Sequence, residues 1–268
     1  MFIRRVISVP DYYSFIEKVH RYLGIDLSLY KEAQMRRRLT SLRNKRGFRD
    51  FDSYFTALRE DDALLEEFID RITINVSEFY RNPKRWDVLR EKVFPKLIEQ
   101  SRGRQLKIWS AACSTGEEPY SLSIMLHEHF PNVDAAILAT DIDEKALKKA
   151  EKGVYHEQAL KDLPNQKKTK YFTYKNDAYH IDSRLKKIIT FKKHDLLKDP
   201  YPRNLDLIVC RNVLIYFTDD AKETIYQKLS DALVENGILF VGSTEQIFNP
   251  AKYHLTLFDT FFYEKKSK

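Results

Sequence analysis

Residues 106–118, LKIWSAACSTGEE, constrain the fold most: an apolar run, Leu106 to Ser110, breaks into a turn of small residues carrying Glu117 and Glu118, with Pro119 at a helix start. ILATDID at 137–143 and IVCRNVLIYF at 208–217 follow it, so three strand-like runs end on polar groups. Open parallel sheets bind ligands at the carboxyl ends of their strands, and three such ends in order predict one crevice. Gly116 alone is a weak signal; the ordered set is a strong one.

The rest of the pattern agrees. From Leu106 short apolar runs (106–110, 136–139, 188–191, 205–209, 238–241) alternate with amphipathic helices at 119–129, 144–151 and 220–233, the signature of βαβ units on a mostly parallel sheet. Gly237 to Val241 and Phe258 to Lys265 lack an adequate helix between them, which predicts an antiparallel last pair. Between about 154 and 187 the chain holds more than a compact crossover needs, with short strands at 171–174 and 178–181, and reads as a small inserted β subdomain or a surface elaboration. Upstream, four helices are expected over 12–24, 29–45, 51–58 and 63–72, and one more from Lys84 that stops at or shortly after Pro95. The expected organisation is a helical domain over 1–75, a linker and first helix over 76–95, and an α/β domain over 96–268.

Charge is concentrated. Residues 31–49 hold eight Lys or Arg against Glu32, while the remainder of this 268-residue chain roughly balances. Met35, Leu39 and Leu42 give the helix an apolar stripe, with Arg36 and Arg43 on one flank and Arg38 and Lys45 on the other. A basic face of this kind fits nucleic acid, an anionic membrane surface or an acidic protein, or is a solvated face with snorkelling side chains. Only Cys113 and Cys210 are present, no run reaches the roughly 18 residues a membrane span needs, and no apolar signal segment opens the chain, so a reducing cytoplasm is expected.

The candidate site residues follow from position. Small Ser110, Ala111, Ala112 and Ser114 let backbone approach a ligand. Two glutamates stand where a pyrophosphate would want positive potential, which disfavours a dinucleotide and favours a cationic cofactor, unless they only cap a helix. Asp141 ends the second strand and can accept from both hydroxyls of a ribose. Asp143 reads as the cap of the next helix. Asp195 ends a later strand, where it can accept from an adenine amino group or cap a turn. Arg211 and Asn212 directly follow a buried strand and need partners, and Tyr216 can share their pocket. The linker ITINVSEFYRNP at 72–83 carries Asn75, Ser77 and Arg81, and an arginine there can bind a carboxylate in a bidentate way.

These residues together resemble a known family, the CheR-type chemotaxis receptor glutamate methyltransferases, over essentially the whole chain. The motifs are Ser77-Glu78-Phe79-Tyr80-Arg81, the turn from Trp109 to Ser121, TDID at 140–143 and RNVLIYF at 211–217, in the family's order. The resemblance implies an all-helical N-terminal domain before a doubly wound, mostly parallel methyltransferase sheet that binds S-adenosyl-L-methionine (SAM) and carries a small antiparallel β insertion. It implies that Arg81 and Glu117 approach the methionyl part of SAM, with Asn75, Ser77 and Ala111 nearby. Asp141 would hold the ribose, Asp195 and Leu196 would border the adenine, and Arg211 and Asn212 would floor the pocket near Tyr216. Arg81 and Tyr216 are the expected catalytic pair. The implied substrate is the cytoplasmic helical domain of methyl-accepting receptors, bound by Arg36, Arg37, Arg38, Arg43 and Arg46, with S-adenosyl-L-homocysteine as product. No metal, nucleic acid or membrane insertion is implied, and a monomer is expected. Residues 171–181 contain no glycine, a departure from relatives whose insertion grips a receptor tail.

A glutamate carboxylate is ionised at neutral pH, so methyl transfer to it requires no general base, and the seven histidines show no metal-ligand spacing. The competing classes are a nucleic-acid methyltransferase, which would want a base-gripping turn that RNVLIYF does not supply, and a non-catalytic SAM-sensing adaptor.

Overall fold

The computed structural model describes residues 9–73, 75 and 77–267, so Ile74 and Val76 of the linker lie outside the described residues. The chain divides into two units, 1–74 with 216–221, and 75–215 with 222–268.

The first unit is helical: α1 (Val9–Leu23), α2 (Glu32–Lys45), α3 (Phe51–Glu60) and α4 (Asp62–Thr73), with a 3-10 turn at Leu27–Leu29. Asp50 starts α3 by accepting from the Ser53 amide, which satisfies one of the unpaired donors of a helix's first turn. The apolar stripe of α2 does face inward, since Met35, Leu39 and Leu42 are buried with Phe15, Phe51, Tyr54 and Phe68. Phe217 joins this unit, pairing its strand-like backbone and its ring with Tyr30.

The second unit opens with α5 (Pro83–Val88), a π-helical turn at Leu89–Val93 and α6 (Phe94–Ser101). Pro95 therefore does not end this helix. Its missing N–H falls in the first turn of α6, and the widened turn before it bonds Phe94 N to Leu89 O, absorbing the proline ring. Then follow β1 (Leu106–Ala111), α7 (Glu117–His129), β2 (Ala135–Asp141), α8 (Glu144–Lys152), β3 (Val154–Tyr155), α9 (Asn165–Tyr171), β4 (Phe172–Lys175), β5 (Ala178–Ile181), α10 (Ser183–Lys186), β6 (Ile189–Lys193), β7 (Leu205–Cys210), α11 (Asp219–Ala232), β8 (Leu233–Val241), β9 (Leu255–Asp259) and β10 (Phe262–Lys265).

Seven strands form one sheet in the order β6-β2-β1-β7-β8-β10-β9. The first five are parallel, and β10 runs antiparallel to both β8 and β9. The expected strand 258–265 is in fact the end of β9, a turn and β10: the chain reverses at Thr260-Phe261, where Phe261 has φ +72°. β3, β5 and β4 make a separate antiparallel sheet within 154–187, its tight turn formed by Asn176 and Asp177, both at positive φ, in place of glycine. Strand order reverses between β1 and β7, and such a reversal opens a crevice at the strands' carboxyl ends.

Candidate active site

The turn after β1 is built under strain. Ala112 (φ +61°), Ser114 (φ +50°) and Gly116 (φ +95°) all occupy the left-handed region. A Cβ on Gly116 would also lie 2.8 Å from that of Ala150, so this position requires glycine for packing as well as for φ. Strained non-glycine residues recur on the facing segments, at Tyr80 and Asn82 on either side of Arg81 and at Asn212. Such conformations cost about 1–3 kcal/mol each and persist where the surrounding structure imposes them, commonly at functional sites.

The two glutamates at the start of α7 diverge, because successive helical residues point about 100° apart. Glu117 is buried and turns toward Thr115, whose hydroxyl reaches both carboxylate oxygens at 2.8 Å, and toward Ser77. Glu118 accepts from Ser110 Oγ at 2.8 Å and lies 3.5 Å from Arg211 Nη1. Burial raises the pKa of both carboxyls, against the hydrogen bonds in the first case and against Arg211 in the second. Arg211 shows the complementary shift: burial pulls it below its ordinary value in spite of Glu118. For this pair desolvation outweighs attraction, so it is held by the fold around it.

Arg211 is fixed by that surrounding. Its Nη2 donates to Arg81 O and to Asn82 Oδ1, both at 2.9 Å, and its guanidinium lies 4.6 Å from the Phe240 ring centre. Its Nε is buried without a protein partner. Arg81 is half-buried, and its carbonyl also accepts from Trp86 Nε1.

Asp141 ends β2 with both oxygens engaged, one by Ser114 N at 2.8 Å and the other by Asp143 N at 3.0 Å. Burial pushes its pKa up from 3.8 to about 6 against these bonds. Asp143 caps α8 through Lys145 N and Ala146 N, as its position predicts. Asn75 links two walls, donating to Asp143 Oδ2 at 2.6 Å and accepting from Ser114 Oγ at 3.1 Å. Ala111 is buried at the end of β1. Beyond β6, Asp195 is half-buried and its side chain accepts from Leu197 N, the turn-capping alternative, while Leu196 is buried.

The fold thus gathers Asn75, Ser77, Arg81, Ala111, Glu117, Asp141, Arg211 and Asn212 on adjoining segments of the sheet unit. Tyr216 groups with the helical unit, where its carbonyl accepts from Lys31 N and Arg38 lies 5.7 Å from its ring centre. Glu118 is an addition, since its pairing with Arg211 singles it out where sequence left the two glutamates open. Glu245 is another. It is buried in the turn beyond β8 and accepts four main-chain N–H groups, and its trace in sequence is a charged residue shortly after an apolar strand, weaker than that of Arg211, which directly follows β7.

On the helical unit, Gln34, Arg37, Arg38, Ser41, Lys45 and Arg71 line a concavity of about 420 Å³. The basic residues expected to face a partner separate here. Arg43 is corrected: it is 5% exposed, packs 4.6 Å from the Phe51 ring centre and lies 3.8 Å from Asp11, so it serves the core, because its position turns it inward beside Leu39 and Leu42. Arg36 is 3.8 Å from Glu32 and Arg46 2.5 Å from Glu67. Arg37 and Arg38 remain, joined in the concavity by Arg71 from α4 and by Lys45, which itself lies 3.7 Å from Glu67.

The donor set suits SAM. Asp141 retains lone pairs for a diol, two carboxylates oppose a sulfonium, and Arg211 Nε is a donor that a carboxylate would satisfy. Among the described residues no group of three or more His, Cys, Asp or Glu is placed to hold a metal, and no helix is long and apolar enough to cross a membrane. Fold and donor set together fit a SAM-binding methyltransferase.

Comparison with known proteins gives the family. Residues 75–261 match the model of the CheR methyltransferase SAM binding domain and residues 10–73 that of the CheR methyltransferase all-alpha domain. The chain is 49% identical to a chemotaxis protein methyltransferase of Listeria innocua and 48% identical to one of Listeria monocytogenes, in both cases over 95% of this chain and 97% of the relative. It is 36% identical to one of Borreliella burgdorferi, over 87% of this chain and 86% of that one. The chain belongs to the CheR methyltransferase family, a SAM-dependent protein-glutamate O-methyltransferase that methylates protein substrates of chemotaxis.

Proposed function

We propose that the substrates are methyl-accepting chemotaxis receptors, and that glutamates of their cytoplasmic helical domain become 5-O-methyl esters during sensory adaptation. The observation that carries this reading is the pairing, in one chain, of buried carboxylates gathered at the strand ends with a basic concavity suited to an acidic partner.

SAM supplies an electrophilic methyl group on a sulfonium, and the chain's residues position and desolvate the groups on either side of it. In this assignment Asp141 holds the ribose, Glu117 and Glu118 set a negative field, and Asp195 and Leu196 border the adenine. Asn75 and Ser77 brace the wall they bond to, beside Ala111. Arg211 and Asn212 floor the pocket, and Arg81 and Tyr216 align the reacting carboxylate. Residues 1–75 recognise the receptor, chiefly through Arg37 and Arg38 with Lys45 and Arg71, and residues 96–268 perform transfer, joined by the 76–95 segment. The protein acts in the cytoplasm as a monomer recruited to receptor arrays, without nucleic acid.

The test is to incubate the protein with labelled SAM and either a receptor cytoplasmic fragment or bulk RNA, then treat the product with alkali. Methyl esters release methanol, whereas N-methylated bases do not. Label on the receptor fragment released by alkali supports the reading, and alkali-stable label confined to RNA refutes it.

A further inference from the structure

Glu245 is a buried carboxylate, 4% exposed, whose compensation comes from the main chain. One oxygen accepts from Asn212 N at 2.6 Å and Gly242 N at 2.8 Å, and the other from Leu214 N at 2.6 Å and Ile215 N at 3.3 Å. Three of these donors lie in the segment that follows β7. Asn212 is there in the left-handed region, at φ +60°, and Leu214 begins a 3-10 turn whose first N–H groups have no partner within the turn. Gly242 completes the cradle: a Cβ on it would sit 2.3 Å from Glu245 Oε2 and 2.9 Å from Asn212 N, so this close approach excludes any side chain.

We propose that Glu245 is a positioning residue for the cofactor pocket, its carboxylate holding residues 211–215 in the strained shape that presents Arg211 and Asn212. This rests on the assignment of Arg211 and Asn212 to the pocket floor. Only an ionised carboxylate offers acceptors on both oxygens to four donors. A glutamine would turn an NH2 toward two of the N–H groups, and an aspartate is one methylene too short to reach the segment from the same backbone.

Glu245→Gln and Gly242→Ala are the variants, with Asp206→Asn as control. Asp206 is also a buried carboxylate, bonded to Arg104 and to Lys107 N, but at the opposite end of β7. Both site variants are expected to weaken SAM binding about tenfold and to lower kcat about a hundredfold at saturating SAM, with the receptor KM within about threefold of wild type. Because both act through one cradle, the double variant should be little worse than either alone. Asp206→Asn should lower the melting midpoint as much and leave SAM affinity and kcat alone. If Glu245→Gln does not fold, Gly242→Ala is read alone. Wild-type SAM affinity and kcat in the site variants, or equal losses in Asp206→Asn, overturn the proposal. Asn212→Ala separates the two levels. If it is impaired while Glu245→Gln is not, positioning by Glu245 is wrong; if it is unimpaired, the pocket assignment beneath it fails as well.

Discussion

The helical and sheet units use charge in opposite ways. In the helical unit, cations stand on regular helices, and Arg37, Arg38 and Arg71 share one concavity. In the sheet unit, Glu117, Glu118 and Asp141 are withdrawn from solvent, and the turn after β1 and its facing segments hold five non-glycine residues at positive φ. Burial decides what each charge can do. Exposed cations act across a distance, and salt screens them over about 8–10 Å, whereas buried carboxylates act only at contact but have their protonation moved toward the physiological range. The first arrangement suits encounter with a partner, and the second suits a tightly fitted ligand.

The largest effect is expected where strained backbone and chemistry coincide. Arg81 lies between two left-handed residues, and its carbonyl receives Arg211. Arg81→Ala should lower methyl transfer about a hundredfold at saturating SAM, since a misaligned reacting pair loses rate steeply, while the melting midpoint barely moves. Wild-type turnover at both saturating and limiting SAM would remove Arg81 from the site.

Next comes Asp141. Asp141→Ala should weaken SAM binding by about 1.5–3 kcal/mol, the value of a charge-assisted hydrogen-bonded contact. Its raised pKa adds a sign. Ribose hydroxyls donate to the ionised carboxylate, so calorimetric affinity should be greatest above pH 6 and fall as pH drops through about 6, with proton release on binding in that window. The free protein behaves inversely: the Asp141 contribution to stability is complete below the unfolded value near 3.8 and is lost as pH rises through about 6, because the folded state favours the proton. Equal affinity at pH 7.5 and 5.5 would contradict the assignment.

This contrast also explains how far the sequence could be read. The parallel sheet and the antiparallel final pair were legible because apolar runs of strand length end on polar residues, and burying such ends requires partners. The direction of each side chain was not. Glu117 and Glu118 are equivalent as letters and are separated only by the helical rotation that sends one to Thr115 and the other to Arg211. Arg43 belongs to a basic run yet faces inward, a matter of helix phase. Arg71 reaches the concavity from another helix, and Glu245 meets Asn212 only after the sheet has formed. The Pro95 stop signal failed because a π-helical turn, which no residue preference announces, accommodates it.

A smaller effect is expected from the cations of the concavity. Reversing Arg37 and Arg38 to Glu should slow receptor methylation about tenfold at low salt, mainly through association, and the deficit should shrink as salt rises. SAM affinity should be unchanged. Unaffected receptor methylation at low salt would dismiss the docking role of this face.

The smallest effect separates a local face from net charge. Arg46 and Arg37 each contribute one positive charge to the same helical unit, but Arg46 lies 2.5 Å from Glu67, whereas Arg37 lines the concavity. If the receptor is drawn only by total charge, Arg37→Ala and Arg46→Ala should slow association equally, because each removes one unit from the same field. If recognition belongs to the concavity, Arg46→Ala should leave receptor kcat/KM within about twofold of wild type, as expected for a surface pair whose field is already offset by its partner, while Arg37→Ala should lower it further and lose that difference at high salt. Stopped-flow association with a receptor fragment over a range of salt concentrations measures both. Parallel salt curves of equal depth for the two variants would assign the attraction to net charge and leave the concavity without a role in docking.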